Sequence, residues 1–155
     1  MNAEQIFNIM VKHNDRIHGH FLGVYARNQI PSFDKFTRYP AYFICNTDTA
    51  SGRGKHWVVF YFVSCTSLEF FDSFAHIFSD YGFKTLPILY PNLQEIIHVN
   101  RRIQNYNSCV CGQYCLYFLL HRIQNYSLEQ ILLSFSFHNT AWNDIQVYQF
   151  IKQLK

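Results

Sequence analysis

Gln104-Asn105-Tyr106-Asn107-Ser108-Cys109-Val110-Cys111-Gly112-Gln113-Tyr114-Cys115 holds the decisive pattern: a glutamine seven residues before a Cys-Gly pair that opens an apolar helical stretch. From Cys111 to Arg122, Cys115, Phe118, Leu119 and Arg122 recur at helical spacing, so Cys111 falls at a predicted helix N-terminus. A thiol there is favoured as thiolate by the helix dipole. Gly112 lets backbone approach closely, and the Cys111 amide is a natural oxyanion donor. Cys109 lies in the preceding loop. Cys115, one turn inside the helix, reads with Cys45 and Cys65 as a small buried hydrophobe.

Working outward, Gly54-Lys55-His56-Trp57 opens the most confident strand, His56 to Val63, rich in β-branched and aromatic residues. Leu68 to Asp72 reads as its antiparallel partner, joined through Ser64-Cys65-Thr66-Ser67. Asp72 closes that strand among Phe70, Phe71 and Phe74, where an unpaired carboxylate is costly; His56 across the hairpin is the expected partner. Nucleophile, base, orienting carboxylate and the Gln104 amide donor are the parts of a cysteine protease. Trp57 and Gly112 are expected to line the substrate cleft. Arg101, Arg102, Tyr106 and Asn107 read as loop or cleft residues.

The rest of the chain frames these motifs. Residues 3 to 12 place Ile6, Ile9 and Met10 at helical spacing, and Phe21 to Tyr25 is compact and apolar. A polar loop follows through Pro31 and Pro40, then a buried strand over Ala41 to Asn46 and a turn-rich surface loop to Gly54. A short helix is expected near Ala75 to Tyr81 and a strand over Glu95 to Val99. Ser127 to Gln130 matches a capping box, and a last helix spans about Asn143 to Leu154. The order predicts an α+β fold with a mostly antiparallel sheet flanked by helices, in one domain over residues 1 to 155.

Composition narrows the class. Of 155 residues, 49% are hydrophobic, 19% aromatic and only 15% charged, as an ordered globule requires. A net charge of +3 is spread along the chain with Arg101-Arg102 the only adjacent basic pair, which permits an anionic partner such as nucleic acid but does not predict one. Five cysteines, three within seven residues, fit free thiols in a reducing compartment better than a secreted disulfide scaffold. No signal peptide or membrane span is expected. Cys109, Cys111, Cys115 and His121 lack the paired spacing of a zinc site, so no metal is expected.

In order, Phe21-Leu22-Gly23-Val24-Tyr25, Cys45-Asn46-Thr47 leading to Gly54-Lys55-His56-Trp57, Phe71-Asp72-Ser73-Phe74, and Gln104 with Cys111-Gly112 resemble the blocks of the adenovirus-type cysteine proteases (adenain), which are related in fold to the deSUMOylating enzymes. The resemblance runs to about residue 125. It implies a papain-like or adenain-like fold, with His56 as base, Asp72 as its orienter, Cys111 as nucleophile and Gln104 as oxyanion donor. It further implies a viral endopeptidase, from an adenovirus-like, polinton-like or virophage-like source. Its substrates would be capsid and core precursors, and it would work in the host nucleus or viral factory and in the virion. DNA or an activating peptide enters as a cofactor only through the resemblance. Covalent peptide activation is unsupported, since Leu93 to Val99 holds no cysteine where the adenoviral enzymes have one. A monomer is expected. Two alternatives keep the fold: a protease of ubiquitin-like modifiers, and a catalytically idle structural homologue.

Overall fold

A computed structural model describes residues 1–14, 19–83 and 85–154. Its centre is a five-stranded sheet in chain order: β1 (His20–Ala26), β2 (Ala41–Asn46), β3 (Trp57–Ser64), β4 (Ser67–Phe71) and β5 (Glu95–His98). The two central pairings, β2 with β3 and β3 with β4, are antiparallel; the outer pairings, β1 with β2 and β4 with β5, are parallel. A parallel partner must return through a long connection, which is why local sequence identifies the β3–β4 hairpin but not these edges. Gly23 has φ 130° beside the register shift that separates Phe21 from Gly23 in β1, a conformation that a side chain would strain.

Both faces of the sheet are covered, so β3 is apolar almost throughout instead of alternating. On one face Tyr42, Val59, Tyr61 and Phe71 pack against α1 (Ala3–His13), α3 (Cys111–Ile123), α4 (Leu128–Leu133) and α5 (Thr140–Leu154). On the other, Phe43, Phe60, Phe62 and Phe70 meet Phe83, Leu86 and Tyr90, from the segment carrying the short α2 (Leu86–Leu89). The aromatic richness of the sequence is spent here. Phe71 stacks on Phe118 of α3 with centroids 4.4 Å apart, and Phe43 on Phe60 at 4.8 Å.

Two anchors fix α3 to the sheet. Ten of its residues are buried. Arg122 in its last turn forms a bidentate bridge to Glu69 of β4, with nitrogen–oxygen distances of 3.0 and 3.1 Å, and lies 4.5 Å from the Tyr61 ring centroid. Burial pushes the Glu69 carboxyl up, against the opposing pull of Arg122. The bridge locks the helix that starts at Cys111 to the strand that ends beside Asp72.

Local expectations meet the structure unevenly. The Ser127 capping box forms, Gln130 N donating to Ser127 Oγ at 3.1 Å and Ser127 N to Gln130 Oε1 at 2.8 Å. Residues Phe78–Tyr81 make a 3-10 turn, shorter than the helix expected over 75 to 81, because Asp72 captures the preceding backbone. Cys45 and Cys115 are buried, but Cys65 is exposed: it sits in the tight turn between β3 and β4, where no layer covers it.

Candidate active site

The β3–β4 hairpin and the N-terminus of α3 converge at one end of the sheet. His56, immediately before β3, and Asp72, immediately after β4, are both buried. His56 Nε2 lies 2.7 Å from Asp72 Oδ1. This leaves Nδ1 as the ring nitrogen free for the thiol, and His56 and Cys111 lie close enough for each to stabilise the other's charged form. Phe74 flanks the imidazole, ring centroids 4.8 Å apart.

The charges organise themselves accordingly. Burial pushes the His56 pKa down, but its bonds to Asp72 and Cys111 and the charges of both outweigh this and raise it to about 9. Burial likewise opposes ionisation of Cys111. His56 and the backbone N–H groups of Trp57 and Gly112 reverse that and hold the thiol below its usual range. Val110 offers the helix no side-chain cap, so the first N–H groups of α3 stay available to an anion. Each group thus favours the charged form of the other, thiolate beside imidazolium. By contrast, burial drives the Cys115 thiol well up, one helical turn away.

Asp72 is fully buried, which penalises its charge, yet its carboxyl is held below the ordinary range. Oδ1 accepts from His56 and from Phe74 N at 2.8 Å; Oδ2 accepts from His76 N at 3.2 Å and Tyr81 Oη at 2.6 Å. The chain folds tightly round the carboxylate, taking Ala75 to φ 62°.

Gln104 is also fully buried and lines the cleft. Its position is set by the residue after Asp72. Ser73 O accepts from Ile103 N at 2.9 Å and Gln104 N at 3.1 Å, while Ser73 Oγ donates to Gln104 Oε1 at 2.6 Å. That bond orients the amide, and Nε2 donates to Ser108 O at 3.0 Å and Ser108 Oγ at 3.1 Å. The two acceptors of Nε2 thus belong to the loop that leads into Cys111.

A cleft of about 620 Å³ opens over these groups. Its walls come from Met1 to Ala3, the end of β1, the loop between β2 and β3, Phe74 and the segment around Ser108. Trp57 Nε1 donates to Met1 O at 3.2 Å. A Cβ on Gly112 would lie 3.2 Å from Ile6, 3.3 Å from Met1 and 3.4 Å from Trp57, so glycine keeps this end of the cleft narrow without a clash. Arg102 sits over the Tyr106 ring at 3.8 Å, and Tyr106 stacks on Phe74. Among the described residues no group of three or more His, Cys, Asp or Glu could hold a metal ion, and no helix is long and apolar enough to cross a membrane.

The sequence reading did not assign Tyr81, His76, Ser73, Ser108 or the Met1 to Ala3 segment to the site. Ser73, His76 and Ser108 are local, each within four residues of Asp72 or Gln104. Tyr81 and the Met1 to Ala3 segment arrive by turns and helix docking that periodicity does not register.

A buried imidazole between a thiol and a carboxylate, with the thiol at a helix N-terminus over an open cleft, is the constellation of a cysteine nucleophile site. The fold is shared with a known protease. The crystal structure of the ASFV pS273R protease matches with a TM-score of 0.55 at 17% identity, covering 84% of this chain and 60% of that one. The selenomethionine form of that protease matches at 22% identity with a TM-score of 0.41, covering 64% of this chain and 40% of that one. This chain thus spans about 60% of the length of the protease whose fold it shares. No protein-family model matches the sequence, and neither does any curated protein.

Proposed function

We propose that the chain is a viral cysteine endopeptidase. The observation that carries the reading is the arrangement of half-buried Cys111 with buried His56 and Asp72 at the floor of a cleft, on a fold shared with a viral protease. The Cys111 thiolate attacks the scissile carbonyl carbon, forming the C–S bond as the carbonyl electron pair moves to oxygen. The oxyanion meets the free N–H groups at the start of α3. It also competes with Ser108 Oγ for a Gln104 Nε2 proton, and a charged acceptor displaces a neutral hydroxyl. His56 gives its proton to the leaving amine, and the thioester remains on Cys111. Neutral His56 then takes a proton from water, whose hydroxide attacks the thioester and restores the thiolate–imidazolium pair. Asp72 keeps the imidazole oriented and its charged form stable throughout.

Trp57 and Gly112 bound the narrow end of the cleft, which suits substrates with small residues beside the cut. In this reading the substrates are capsid and core precursors cleaved during virion maturation in an infected cell, placing the chain nearer the adenain-type enzymes in role. DNA and an activating peptide are its candidate cofactors.

Mass-spectrometric profiling on a peptide library, with and without DNA, tests it. Wild-type protein cleaves and Cys111→Ala does not. Cleavage that persists in Cys111→Ala would refute the assignment, and cleavage confined to ubiquitin-like fusions would move the substrate class. Absence of cleavage, with Cys111 no faster than the other thiols towards iodoacetamide, would make the chain an idle homologue.

A further inference from the structure

The far oxygen of Asp72 carries an arm of its own. Tyr81 Oη donates to Oδ2 at 2.6 Å from the 3-10 turn Phe78–Tyr81. With its hydrogen committed there, Tyr81 Oη accepts from His76 Nδ1 at 2.9 Å. The His76 ring is about half exposed, while the carboxylate is sealed. A chain of hydrogen bonds therefore runs from solvent through His76, Tyr81 and Asp72 to His56, which acts in turn on Cys111.

We propose that Tyr81 is a positioning residue of the catalytic carboxylate, tuned by His76, and that this arm sets the pH at which His56 releases its proton. The proposal rests on the protease reading above and deepens it. A phenol donating at 2.6 Å draws negative charge from Oδ2, so Oδ1 holds the His56 proton less tightly than a carboxylate without that donor would. His56 must surrender that proton to the leaving amine, and a carboxylate that gripped it harder would slow the step. His76 acts one bond further out: donating to Tyr81 Oη makes the phenol a stronger donor in turn.

Few other titratable or charged groups face this chain among the described residues, and Arg27, just after β1, is one of them, its Nη1 donating to Tyr81 O at 2.6 Å. His56 comes from the segment before β3. From α3 come Cys111 and the neutral Cys115 thiol, both sensed electrostatically. Asp80 from the 3-10 turn lies close enough to act on Tyr81, but its Oδ2 is occupied by Ile77 N at 3.0 Å. His76 also approaches Asp72 Oδ2 at 3.8 Å and donates its backbone N–H there.

The test uses the full chain and the rate of Cys111 carboxymethylation by iodoacetate from pH 5 to 10.5. An anionic alkylator is helped by a neighbouring imidazolium, so its rate rises as the thiolate forms and falls as His56 deprotonates. Peptide mapping separates Cys111 from the other thiols. In wild type the profile is bell-shaped. Tyr81→Phe is expected to move the falling limb upward by about half to one pH unit. His76→Ala should move it the same way by less, with no further movement in the double variant. Should Tyr81→Phe fail to fold, 3-fluorotyrosine introduced at position 81, a stronger donor of nearly the same shape, is expected to move the limb downward.

A falling limb that stays at its wild-type position in Tyr81→Phe overturns the proposal, because a merely structural role lowers the rate without moving the limb. An undiminished His76→Ala shift in the Tyr81→Phe background overturns the route through Tyr81. A wild-type profile that simply rises like an ordinary thiol overturns the protease reading itself.

Discussion

Removing Arg122 should damage the protein far more at neutral pH than in mild acid. Arg122→Met keeps most of the side-chain bulk but deletes both bonds to Glu69, the contact with the Tyr61 ring and the bond to Tyr126 O at 2.7 Å. What remains is a carboxylate 8% exposed, under a helix, with its ion-pair partner gone. Breaking one half of a buried ion pair costs about 3–5 kcal/mol. At roughly 2–4 °C per kcal/mol for a chain of this size, Tm should fall by about 6–20 °C.

The sign of the pH effect follows from Glu69. Burial already raises its pKa above the unfolded value with Arg122 present, and without the guanidinium the shift grows. A carboxyl whose folded pKa is raised binds its proton more tightly in the native state, so stability is lost as pH rises through that value. Urea unfolding followed by tryptophan fluorescence at pH 5 and pH 8 measures both effects, and the wild-type gap should be smaller at pH 5. Adding Glu69→Gln to Arg122→Met should recover most of the loss. A cost below about 1 kcal/mol, or one equal at both pH values, would refute the argument that this pair is buried and electrostatically committed.

Four further outcomes can be checked. Because His56 sits at about 9 and Cys111 below its usual range, cleavage should be bell-shaped with its upper limb near pH 9. The raised His56 contributes stability fully below about pH 6.5 and loses it on approaching 9; the lowered Cys111 does the reverse, so the two offset in wild type. Cys111→Ala removes the thiol's share of the His56 shift, so His56 should titrate below its wild-type value of about 9 in that variant, and an unmoved His56 titration by NMR would contradict the coupling. Gly112→Ala places a methyl 3.2–3.4 Å from Ile6, Met1 and Trp57; a cost of about 1–3 kcal/mol in denaturation and a lower kcat are expected. Ser73→Ala removes the hydroxyl that orients the Gln104 amide, so kcat should fall about 10-fold with KM nearly unchanged, and an unaltered kcat would show that the amide is held by Ser108 alone.

What could be read from the sequence was local. The β3 run, the helix beginning at Cys111 and the Ser127 capping box all follow from patterns a few residues long, and the structure contains each. The His56–Asp72 contact was legible because a tight hairpin links their strands and a buried carboxylate demands a partner. The parallel edge strands were not, since their partners are chosen by long returns rather than by turn chemistry. Tyr81 was equally hidden: it reaches Asp72 through a 3-10 turn and an Ala75 at positive φ, neither of which has a periodic signature. Met1 to Ala3 line the cleft because α1 docks against β1 and α3, a tertiary fact that the helix pattern alone does not contain.

Asp72 and Ser73 are neighbours in the chain, yet one holds the His56 ring and the other orients the amide of Gln104. In the proposed reaction, a displacement of this dipeptide by a few tenths of an ångström would therefore disturb proton transfer and charge stabilisation together. The two contributions to the barrier are mechanically geared, so selection acting on the loop after β4 would tune a single compound trait, and variants there should show correlated losses instead of separable ones.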